Sequence, residues 1–144
     1  MNLFWGITLT LVSSIAFIGQ FITVFWTKTA AVLGLSESQA DVHAVFYADV
    51  RGEALWDTGI LWILPAAGIL LVLNHPFWPI PGLIGGGIYV YFAGRGIVTR
   101  REMQMQVIRI GTKENLRMIY LFLAIWGLSA LITVVMAISA LMPV

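Results

Sequence analysis

The 144-residue chain has no cysteine. That absence excludes disulfide staples, thiolate metal sites, iron–sulfur clusters and dithiol redox mechanisms, and with them the four-helix thiol oxidoreductases. Charge is nearly as scarce: 10% of residues are Asp, Glu, Lys or Arg, against about a quarter in a soluble domain. The formal net charge is +1, and no basic cluster is interleaved with aromatics, so a nucleic-acid surface is excluded. The two histidines, His43 and His75, fall on opposite predicted faces of the membrane, which argues against a bis-histidine haem.

What the chain has is apolar length. Sixty per cent of its residues are hydrophobic and its mean hydropathy is +0.92, more apolar side chain than a soluble core of this size hides. Residues 1–144 therefore read as a single membrane domain of the all-α class. It is a four-transmembrane-helix bundle with spans at about 3–26, 54–73, 77–95 and 118–141. The N-terminal run lacks a basic leader and a small-x-small cleavage site, so it reads as a retained helix.

Each span has its own markers. Trp5 and Trp26 are 21 residues apart, roughly 31 Å along a helix, and read as the two membrane-interface anchors of the first span. In the first connection, Ser36 and Gln39 have capping-box spacing ahead of Ala40, Val42, Ala44, Val45, Phe46 and Ala48. This predicts a short amphipathic interfacial helix between the first two spans, running toward Arg51 and ending there or continuing, with or without a break at Gly52, into the second span. Pro65 lies near the middle of the second span and predicts a kink whose freed carbonyl a neighbouring helix must cover. Asn74-His75-Pro76 is a tight turn, which makes the second and third spans antiparallel neighbours. Gly82 and Gly86 form a GxxxG pair, a helix-packing signature in lipid. Beyond Arg95, the Met-Gln alternation at 103–106 fits a helix or an extended segment equally. Gly111-Thr112 reads as a helix stop followed by a new cap.

With four spans, the first and third connections share one face. They contain or border every basic side chain: Lys28, Arg51, Arg95, Arg100, Arg101, Arg109, Lys113 and Arg117. An eight-to-zero split makes that face cytoplasmic and puts both termini on the non-cytoplasmic side, as expected in a bacterial inner membrane.

The same face carries Asp41, Asp49, Glu53 and Asp57, with His43 nearby. On a continuous helix Asp49, Glu53 and Asp57 form one stripe at i, i+4 and i+8. They are the candidate catalytic residues, and His43, Asp49 and Glu53 are weak candidate metal ligands. Water, the arginines opposite, and for Asp57 the positive end of the second span's dipole are the simpler sources of compensation. No HxxxH, DxD or ExxH spacing accompanies them, and no cofactor is expected.

In length, span number and polar face the chain resembles the membrane-associated proteins of eicosanoid and glutathione metabolism. Ala48-Asp49-Val50-Arg51-Gly52-Glu53 and Tyr89-Val90-Tyr91-Phe92-Ala93 are similar to their second- and third-helix segments. The resemblance implies a trimer binding glutathione near the cytoplasmic face. The family's Asn-x-x-Glu signature is absent, because Val50 precedes Glu53 at that spacing, and Phe46 and Tyr47 stand where basic residues belong. Its active site is therefore not carried over.

The pattern favours a non-catalytic subunit or accessory protein, with the lipid bilayer and other membrane helices, in a homo- or hetero-oligomer, as partners. A small enzyme acting on a lipid-soluble substrate at the cytoplasmic interface comes second. An ion or small-solute pathway comes third, since the spans hold no Lys, Arg, Glu or His at mid-depth.

Overall fold

A computed structural model describes residues Asn2–Met142 as six helices joined by turns: α1 (Asn2–Phe25), α2 (Thr27–Val32), α3 (Ala44–Ile60), α4 (Ile63–Val72), α5 (Pro79–Met105) and α6 (Lys113–Leu141). Among the described residues there is no strand. Three helical stretches, Leu3–Phe25, Ala44–Val72 and Lys113–Leu141, are long and apolar enough to cross a membrane. That is the pattern of an integral membrane protein. Large apolar side chains such as Phe4, Val32 and Leu73 are exposed all around the bundle, and in lipid such a surface needs no further burial. Helix α5 matches these stretches in length, but glycines, prolines and Arg95 dilute its apolar character.

Small residues set the packing. Gly6 and Gly68 let α1 and α4 touch backbone to backbone: a Cβ on Gly6 would sit 2.9 Å from the Val72 nitrogen, and one on Gly68 equally close to that of Thr10. Gly85 places α5 against Leu64. The Gly82–Gly86 pair faces α6 of the same chain, meeting Ala137 and Val134. The pairings Gly82–Ala137, Gly86–Val134 and Gly96–Leu123 run in opposite chain directions, so α5 and α6 are antiparallel. Leu9, Ala16, Leu64, Tyr89, Phe92, Leu123 and Ala130 fill the space between the helices.

The predicted proline kink takes the form of a break. Pro65 has no N–H, so the carbonyl of Leu61 lacks its helical donor, and helical hydrogen bonding is interrupted at Leu61–Trp62 between α3 and α4. The fully buried Tyr89 hydroxyl supplies the substitute. It lies 3.1 Å from the Leu61 carbonyl and 2.7 Å from that of Ser13, donating its one proton between them. A second cross-helix bond runs from Trp126 Nε1 to the Val12 carbonyl at 2.9 Å.

The first connection differs from the expectation. Ser36 and Gln39 do not open a helix; residues 33–43 form turns, and helix resumes at Ala44 with His43 as its cap, His43 Nδ1 accepting from the Val45 N–H at 3.3 Å. The reason is tertiary. Val42 and Phe46 both bury against Ile110 and Leu116 of the third connection. That contact is pinned by His43 N–H to the Arg109 carbonyl (2.8 Å) and by Arg109 to the Ala40 carbonyl (3.1 Å). The two connections thus form one cap over the same end of the bundle. From Ala44 the helix passes through Gly52 without interruption, so of the two alternatives the amphipathic segment takes the continuous one, as the first half of α3. In the third connection helix wins over extended chain: α5 continues to Met105, and Val107 turns the chain at φ 58°. Gly111, at φ 122°, precedes Thr112, whose hydroxyl caps α6 by accepting from Asn115 N–H.

Candidate functional site

Because α3 is continuous from Ala44, Asp49, Glu53 and Asp57 share one face of it, as their spacing requires. Helix α5 answers with Arg95. Its Nη2 donates to Asp49 Oδ1 at 2.7 Å, and its Nη1 lies 2.6 Å from Glu53 Oε1, an ion pair that misses hydrogen-bond geometry. One guanidinium therefore joins two carboxylates across the α3–α5 boundary. One turn further on, Arg100 lies over the Phe46 ring, 5.7 Å from its centroid, and donates to the Gly96 carbonyl. Burial pulls its pKa below the ordinary value, and a guanidinium still stays charged.

Asp57 stands apart from its two neighbours. With the helix beginning at Ala44, Asp57 lies well inside it and not in a first turn, so the compensation expected from the helix dipole is lost. The residue is only 5% exposed, and its Oδ2 has no hydrogen-bond partner.

These groups line a groove of about 460 Å³ between α3 and α5. Asp49, Glu53, Asp57 and Arg95 supply its polar wall; Trp56, Tyr91 and Phe92 supply its aromatic wall. Trp56 and Tyr91 are each 71% exposed, so the groove opens on the flank of the bundle. Glu53 and Phe92 also line a second cavity of about 270 Å³, enclosed by α1, α5, α6 and the Leu33–Leu35 turn and reached by Arg100. They are the partition between the two spaces. A third cavity of about 390 Å³ lies under the first connection, among Lys28, Glu37, Gln39 and Arg51.

The other candidates from the sequence lie elsewhere. His43 is occupied as a helix cap, and His75 accepts from Phe77 N–H in the tight turn. Among the described residues, no three His, Asp or Glu side chains come together as a metal site. Trp26 is exposed, whereas Trp5 is partly buried and donates through Nε1 to Thr133 Oγ1 at 3.2 Å. Arg109 braces the cap by its bond to Ala40; Arg101 is exposed, and Lys113 and Arg117 lie in the first turns of α6. Tyr89 and the aromatic wall were missed by sequence reasoning. The signal for Tyr89 was a proline demanding a donor, with a tyrosine on the neighbouring helix.

Fold and site together define a helical membrane protein with an ion-paired, aromatic-walled groove at one end of its bundle. No family model, curated protein or solved structure matches the chain.

Proposed function

We propose that the chain is a four-pass integral membrane protein that accepts a lipid-soluble ligand in the groove between α3 and α5. The observation that carries this reading is the groove itself: about 460 Å³, within the roughly 300–1,000 Å³ of small-molecule sites, with apolar aromatic walls and a few converging polar groups. Its opening on the flank suits a ligand arriving from the bilayer. Asp49 and Glu53 are engaged by Arg95, which favours binding over proton transfer by these two carboxylates. In this reading α5 is the third of the four passes, its weak apolar character tolerated because α4 and α6 cover one side of it. The charged end is cytoplasmic, and the termini face the other side, by the eight-to-zero distribution of basic residues.

The test is mass spectrometry of the protein released from lipid nanodiscs. We expect a retained small molecule that is lost in Gly52→Phe, since Gly52 borders the groove and a side chain there meets only open space. Retention of the same molecule by Gly52→Phe overturns the reading. A second reading, an accessory subunit whose partner helix lies along this face, is favoured by Gly52, Gly59, Gly87 and Gly94, which all look onto open space. Exposed small residues are where helices meet in lipid. An empty groove together with a co-purifying membrane chain supports that alternative.

A further inference from the structure

We propose that the groove is selective for a lipophilic organic cation, with the Asp57 carboxylate as its counter-charge. The inference rests on the reading of the groove as a ligand site and adds the chemistry of what enters. Three carboxylates and one guanidinium line the groove. Arg95 is shared between Asp49 and Glu53, so Asp57 is the groove carboxyl left without an ion-pair partner. The residue is 5% exposed and its Oδ2 is unpartnered.

An ionisable group at such a position within an apolar helix is costly unless a partner arrives. The partner is defined by the aromatic lining. Trp56, Tyr91 and Phe92 present aromatic rings beside the carboxylates, and a carboxylate flanked by aromatic faces is the arrangement that holds an organic ammonium or phosphonium ion. An anionic amphiphile would meet these same carboxylates unfavourably. A neutral one would leave Asp57 without a counter-charge.

The experiment compares tetraphenylphosphonium and tetraphenylborate, ions of similar shape and opposite charge, binding to the full chain in nanodiscs, with empty nanodiscs subtracted. We expect saturable binding of the phosphonium, weakened about ten-fold or more in Asp57→Asn and retained in Asp57→Glu. Trp56 lies on the exposed side of the groove, where substitution leaves the core intact. Trp56→Leu should weaken binding by about three-fold to ten-fold through loss of the ring's attraction for the cation. Borate binding as tight as phosphonium binding, or phosphonium affinity unchanged in either Asp57→Asn or Trp56→Leu, overturns the cation inference. If neither ion binds while a neutral molecule is retained and is lost in Gly52→Phe, the charge selectivity fails and the ligand groove stands. If Gly52→Phe leaves phosphonium binding intact, the groove is not the site and both readings fail.

Discussion

The coupling between Tyr89 and Pro65 gives the sharpest test of the fold. Tyr89→Phe keeps the ring in its fully buried place and removes only the hydroxyl that serves the Leu61 and Ser13 carbonyls. A buried carbonyl left without a donor costs about 1–3 kcal/mol, while interhelical hydrogen bonds measured in a membrane bundle average about 0.6 kcal/mol. With two backbone carbonyls losing their shared donor, one of them already bereft of its helical N–H, the expected loss is about 1–2 kcal/mol. The second substitution makes the argument specific. Pro65→Ala restores a backbone N–H four residues after Leu61, so Leu61 regains a donor within its own helix. In that background Tyr89→Phe should cost about 0.5–1 kcal/mol less than in the parent chain. Equilibrium unfolding by SDS titration in mixed micelles, run on the parent, both single variants and the double variant, gives the coupling. Equal costs for Tyr89→Phe in both backgrounds would show that the hydroxyl is not the substitute donor, and the account of the break would fall.

Two further predictions follow from contacts of opposite character. Gly86→Ala puts a Cβ 2.6 Å from Val134 Cγ2 and 3.2 Å from the Ala130 carbonyl, an overpacking expected to cost about 1–3 kcal/mol, whereas its neighbour Gly87→Ala meets nothing within 4 Å and should stabilise the helix by up to about 1 kcal/mol. Opposite signs in unfolding free energy check the pair, and equal costs refute the assignment of the Gly82–Gly86 face to α6. Arg95→Gln strands two carboxylates. With the arginine side chain 29% exposed, the cost should fall at about 1–3 kcal/mol, between a surface pair and a fully buried one. It should shrink when Asp49→Asn and Glu53→Gln are present as well, measured by the same titration.

The course of the chain through the apolar segments was legible because hydropathy and proline act locally. Pro65 can be read as a break from its missing N–H alone, and the turn at Asn74-His75-Pro76 from its residue types. The Gly82–Gly86 pair announces a close contact, but which helix fills it depends on Ala130, Val134 and Ala137, about fifty residues away. Gly6 and Gly68 meet across a still longer separation without any spacing signature. The Ser36–Gln39 signal misled because capping is worth only about 1 kcal/mol and yields to the burial of Val42 and Phe46 against Ile110 and Leu116. For the candidate site, the acidic stripe was legible from i, i+4, i+8 spacing. Its division into two paired carboxylates and one unpaired was not, since that depends on where α5 sets Arg95 and on how far upstream α3 begins.

The groove opens beside the proline interruption. Gly85 holds α5 hard against α4 at Leu64, and α5 meets α3 only sparsely. The interruption at Leu61–Trp62 lies between these two regimes: beyond it α4 follows α5 closely, and before it α3 is free to take its own course. Space opens on the α3 side, bridged by Arg95, and Asp57 lines it one turn before the interruption. A continuous helix through this region would bring α3 into the same close register that α4 keeps. Pro65→Ala should therefore narrow the groove as well as relieve Tyr89, weakening phosphonium binding even though residue 65 does not line the site. Affinity unchanged in Pro65→Ala would mean that the separation of α3 from α5 is maintained by the Arg95 pairs and the cap at Val42–Phe46, and not by the break.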